Sequence, residues 1–70
     1  MTANQISKFL SECRYEKFAN KHLRLGQIVY DKLFDHQNEI LEELGYNIYY
    51  EESDKIVEES VWKLIEPDYR

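Results

Sequence analysis

Residues 24–44 read RLGQIVYDKLFDHQNEILEEL, and the spacing of apolar residues in this stretch decides the fold. Leu25, Val29, Leu33, Ile40 and Leu44 recur at helical intervals, flanked by Tyr30, Phe34 and Leu41. At about 100° per residue they cover roughly half the circumference of a helix. Asp31, Asp35, Asn38, Glu39 and Glu42 fall on the other side, which belongs in water. An apolar face so wide needs two neighbours to cover it. The expectation is therefore an all-α fold, a small three-helix domain with helices near residues 3–13, 22–44 and 54–66. The run Asp35-His36-Gln37-Asn38 interrupts the stripe, so the central helix either runs through or bends there into two shorter helices, with Asp35 as a cap. Gly45 closes it as a residue free to turn left-handed. Gly26 costs a helix up to about 1 kcal/mol relative to alanine, which a close packing contact would explain.

Outward from this stretch, Thr2 and Gln5 have capping-box spacing for a first helix. Its buried stripe is Ala3, Ile6, Phe9 or Leu10, and Cys13. The phase fails beyond Cys13, because Tyr15, Phe18, Ala19 and His22 line up on another side. A turn or kink near Arg14 is expected, with Asn20 capping the next helix. On the far side, Tyr46, Ile48 and Tyr50 alternate, the period of an extended segment. This predicts an extended aromatic connection whose rings pack over the helices. Ser53 or Asp54 then caps a last helix with Ile56, Val57, Ser60, Val61, Leu64 and Ile65 on one face, ended by Pro67. Leu33, Leu44, Val61 and Leu64 are the expected core.

Seventy residues make one domain, 1–70, whose core stabilises it by only about 3–5 kcal/mol. A hydrophobic share of 43% with ten aromatics is enough to fold, and leaves apolar surface to share with a partner. The lone Cys13 excludes an intramolecular disulfide, and two histidines are too few for a metal site without carboxylates, so no cofactor or metal is expected. The N-terminus MTANQISKFL lacks a signal peptide's apolar run, and no stretch is long enough to cross a bilayer. A soluble, cytoplasmic protein with no membrane partner is expected. Charge is uneven. Residues 1–30 set Lys8, Arg14, Lys17, Lys21 and Arg24 against Glu12 and Glu16, a net of +3. Residues 31–70 set Lys32, Lys55, Lys63 and Arg70 against twelve acids, a net of −8. Such an acidic half repels phosphate, which argues against direct nucleic-acid binding and for a basic protein partner.

The pattern RxGQxxYxxL, carried here by Arg24, Gly26, Gln27, Tyr30 and Leu33, is followed more loosely by Tyr49, Tyr50, Glu51, Glu52, Lys55 and Ile56. In these residues the chain resembles a set of small uncharacterised proteins of phages and bacterial genomes. The resemblance covers about two thirds of the chain. Where that set often reads DPFY, residues 47–50 here read NIYY. The resemblance implies a phage or mobile-element setting and brings no established activity.

No GxSxG, HExxH, paired cysteine or phosphate-cradling glycine loop occurs, so the chain is not expected to be an enzyme. Cys13 lies on an apolar stripe, the place of an inert thiol. His36, beside Asp35 and three residues before Glu39, reads as a solvated side chain. Asp31, Asp35, Glu39 and Glu42 form a negative ridge that is either a solvated face or, with Glu51, Glu52, Glu58 and Glu59, a surface presented to a nucleic-acid-binding or defence protein of a host in imitation of a phosphate backbone. Arg24 and Gln27 are either a recognition pair or a tie to the loop around Tyr49 to Glu52. Trp62 projects away from its helix's buried line, either to fold against Tyr46–Tyr50 or the Asp68–Arg70 tail, or to serve as an aromatic anchor for a partner. The expected function is a small acidic protein-binding module that engages and inhibits a host protein. The alternative is a structural protein that self-associates, for example as a homodimer.

Overall fold

A computed structural model describes residues 1–66; the expected stop at Pro67 and the Asp68–Arg70 tail lie outside the described residues. The fold is all-α, with four helices: α1 (Ala3–Ala19), α2 (Leu25–Lys32), α3 (Asp35–Glu43) and α4 (Asp54–Trp62). Three glutamines set three of the four starts. Gln5, Gln27 and Gln37 each stand three residues into a helix, and each side-chain oxygen accepts the backbone N–H of the residue before that helix. The distances are 2.8 Å from Thr2, 3.3 Å from Arg24 and 2.8 Å from Phe34. Thr2 completes a full capping box by accepting from the Gln5 amide at 3.2 Å. Ser53 caps α4 by accepting from the Ile56 amide.

The central stretch is two helices, and its break lies earlier than Asp35. Leu33 and Phe34 are extended, with ψ of 152° and 155°. Phe34, not Asp35, is the cap of α3, because Gln37 takes its free N–H. Restarting the helix resets its rotation, and this corrects the expected core. Leu25, Val29 and Leu33 are buried, joined by Ile28, but Ile40 and Leu44 turn outward and are 43% and 55% exposed. Leu41 and Asn38 face inward in their place. Asn38, expected in water, is buried and donates its amide to the Tyr30 carbonyl at 3.0 Å, one of the acceptors that the end of α2 leaves free.

α1 runs unbroken past Arg14 to Ala19, so the expected kink is absent. The change of phase after Cys13 has another cause: Tyr15 and Phe18 are about three-quarters exposed, and no second buried face exists there. Asn20 caps the end of α1, its amide donating to the Glu16 carbonyl. At the end of α3, Gly45 takes φ 94°, and the Gly45 and Tyr46 amides donate to the Glu42 and Leu41 carbonyls, a Schellman closure. The 46–52 connection is a pair of overlapping turns rather than an extended segment. Tyr50 and Glu51 donate to the Asn47 and Ile48 carbonyls, both at 3.2 Å. α4 buries Val57, Ser60 and Val61, and the turn after it buries Leu64, while Ile56 and Ile65 are exposed.

α1, α2 and α4 pack against one another around Ile6, Leu10, Cys13, Leu25, Val29, Val57 and Val61, and α3 packs on them more sparsely, with Leu41 in the same core. Cys13 sits in the middle of this core, and burial pushes its thiol from an ordinary value of 9.0 up to about 11. Below pH 9 the thiol is neutral folded and unfolded, and its contribution is complete. Between 9 and 11 only the unfolded chain ionises, so stability falls with rising pH, by up to about 2–3 kcal/mol. Denaturation midpoints measured across that range should show this loss in the native chain and not in Cys13→Ala.

Candidate functional site

The motif's two halves meet where the 47–52 turn docks on α2. The Arg24 guanidinium donates to the Tyr49 carbonyl at 3.1 Å, tying the start of α2 to the turn. Gly26 provides the room for this contact. A Cβ there would overlap the Ile48 carbonyl oxygen and come within 3.4 Å of the Glu51 carbonyl oxygen. Ile48 is buried in the core beneath. One turn along α2, the Tyr30 ring meets Tyr49 edge-on with centroids 5.3 Å apart, and Tyr49 meets Tyr50 edge-on at 5.0 Å. Gln27 is spent on the Arg24 amide. Arg24 and Gln27 therefore act within the chain, as a tie and a cap.

The docked turn places three tyrosines beside carboxylates. Tyr30, Tyr49 and Tyr50, with Glu42 from α3 and Asn47, line a cleft of about 260 Å³. Asn47 and Tyr50 continue into a shallower groove flanked by Glu51 and Glu52. Glu51 also accepts the Ser53 amide at 3.1 Å, which holds the turn against the start of α4. Further round, Trp62 is 38% exposed and shares a cleft with Tyr46, Glu59 and Lys63. Thus the indole leans toward the aromatic segment and keeps one side in water.

The four carboxylates expected to form a ridge along one helix stand on two. The α2–α3 break separates Asp31 from Asp35, Glu39 and Glu42, which share a face of α3. Glu58 is removed from the set: Arg14 donates to both its oxygens, at 3.1 and 2.9 Å. Lys17 pairs with Asp54 at 2.8 Å, and Lys32 with Glu16 at 3.3 Å. Lys21 lies 5.6 Å from the centre of the Phe18 ring. Of the five cations in residues 1–30, Arg14 and Lys17 are thereby spent on acids of the negative remainder. Among the described residues, no cation lies within ion-pair distance of Asp31, Asp35, Glu39, Glu42, Glu52 or Glu59.

Sequence reasoning misses the cleft because Tyr30 falls by spacing with the apolar stripe and lies far along the chain from the adjacent Tyr49 and Tyr50. The signal was there in Gly26, whose missing Cβ admits the turn. Among the described residues, no three metal-ligating side chains gather, and no helix is long and apolar enough to cross a membrane. Comparison with family models, curated proteins and solved structures yields no match.

Proposed function

We propose that this chain is a small, non-catalytic protein-binding module that engages a basic protein through its acidic face. The observation that carries this reading is the set of exposed carboxylates on α2, α3, the turn and α4 that have no ion-pair partner among the described residues, while Glu58 and Asp54 of α4 are paired with Arg14 and Lys17 of α1. Asp31, Asp35, Glu39, Glu42, Glu52 and Glu59 are the contributing acids, with Trp62 as an aromatic anchor beside Glu59. The motif resemblance favours a phage or mobile-element origin, and hence a cytoplasmic host protein as target. Inhibition would result if the carboxylates occupy the phosphate-binding surface of a nucleic-acid-binding or defence protein. Capture from host lysate, with bound proteins identified, tests the reading. Binding should weaken steeply with salt, as the screening length falls from about 10 Å at 0.1 M to about 3 Å at 1 M. Trp62→Ala should weaken the captured complex while leaving helical content and melting temperature nearly unchanged. A variant that unfolds makes Trp62 structural, and salt-insensitive binding rejects the charge-based reading.

A second reading rests on a different surface. Phe34, Ile40 and Leu44 are exposed on and beside α3, with Ile40 and Leu44 four residues apart on one face. Such an apolar strip favours self-association, and a homodimer formed through it would be insensitive to salt. Sedimentation at low and high salt separates the two readings.

A further inference from the structure

We infer that the tyrosine cleft between α2 and the 47–52 turn binds an arginine side chain of the basic partner. This inference rests on the reading of the acidic face as a protein-binding surface and names the group that surface receives. Tyr30, Tyr49 and Tyr50 are held edge-to-face, at 80° and 73°, so their electron-rich faces point in different directions around a shared space. A cation placed within about 6 Å of such faces is attracted by the ring quadrupoles. Among the described residues, the chain's own cation–π contact is at Phe18, leaving the tyrosine faces without one. Glu42 lines the same cleft and supplies the opposing charge. At about 260 Å³ the cleft falls below the roughly 300–1,000 Å³ of small-molecule sites, and fits one side chain. Arginine is favoured over lysine because its planar guanidinium can stack on one ring while its N–H fork reaches the Glu42 carboxylate and the Asn47 side-chain oxygen.

The test uses three blocked tripeptides, acetyl-Gly-X-Gly-amide with X as arginine, lysine or citrulline, titrated into the whole chain while tyrosine ring signals are followed by NMR. The arginine peptide should shift the Tyr30, Tyr49 and Tyr50 signals saturably at millimolar concentration. The lysine peptide should bind several-fold more weakly, and the citrulline peptide, of the same shape without charge, should not bind. Tyr50→Ala and Glu42→Gln alter exposed side chains and should each weaken arginine binding at least threefold, while Asp35→Asn, outside the cleft, should not. Equal binding of citrulline or lysine, shifts located elsewhere, or no saturable shift would overturn the assignment. The two readings fail separately. If Tyr50→Ala retains a captured basic protein as tightly as wild type, the cleft assignment is wrong and the binding module stands. If the arginine peptide binds at the cleft while no basic protein is captured, the cleft stands and the module reading is wrong.

Discussion

Gly26→Ala should lower the melting temperature by about 8–16 °C. In an ordinary helix the change would stabilise by up to about 1 kcal/mol, because alanine is the better helix former. Here the added methyl meets a main-chain carbonyl rather than a side chain that can swing aside. The Ile48 carbonyl is itself held by the Glu51 amide, so the turn must move as a block. Overpacking costs about 1–3 kcal/mol, and an immovable neighbour places this case at the upper end. Net of the propensity gain, about 2 kcal/mol or more is lost from a domain holding about 3–5 kcal/mol. At about 4–8 °C per kcal/mol for a chain of this size, the shift is about 8–16 °C. Thermal melting by circular dichroism measures it, and a variant within about 3 °C of wild type would mean that the turn does not dock here.

Leu33→Ala and Leu44→Ala should part company by several kcal/mol, although on a continuous helix the two leucines would lie on one line. Leu33 is 6% exposed and packs in the core, so truncation leaves a cavity costing about 2–5 kcal/mol. That loss is comparable with the whole stability of the domain, and the variant should be largely unfolded. Leu44 is 55% exposed, and its truncation should stay within about 0.5 kcal/mol. Urea midpoints of the two variants decide the matter. Equal losses would show that the stretch is one helix with both leucines inward.

The fold class, the Thr2–Gln5 cap and Gly45 as terminator were legible in the sequence, since each depends on local spacing or on one conspicuous glycine, while the Ser53 cap and the tie from Arg24 to the turn, 25 residues away, were each one of two open alternatives. The rotation of α3 was not. Ile40 and Leu44 continue the stripe of α2 in register, and only Gln37, able to take the Phe34 N–H, marks the two-residue interruption that turns them outward. A period is blind to such a reset. The kink expected at Arg14 erred for the opposite reason: exposed Tyr15 and Phe18 mimic a second buried face when hydrophobicity alone is counted. The acidic ridge was visible as composition, but its depletion by Arg14 and the separation of Asp31 from α3 depend on how helices pair, which spacing along one helix cannot reveal.

The thin attachment of α3 gives the molecule two levels of cohesion. Leu41 and the Asn38 amide hold α3 to a body in which α1, α2 and α4 are mutually packed. Opening α3 therefore exposes little apolar surface, and its amides should exchange with deuterium through a local fluctuation while those of Leu10, Val29 and Val61 wait for global unfolding. Glu42 sits on this loosely held segment and forms one wall of the tyrosine cleft. A cation bridging Glu42 to Tyr49 would fasten α3 to the 47–52 turn, slowing exchange along Glu39 to Glu43 and turning a fluctuating helix into part of the rigid body.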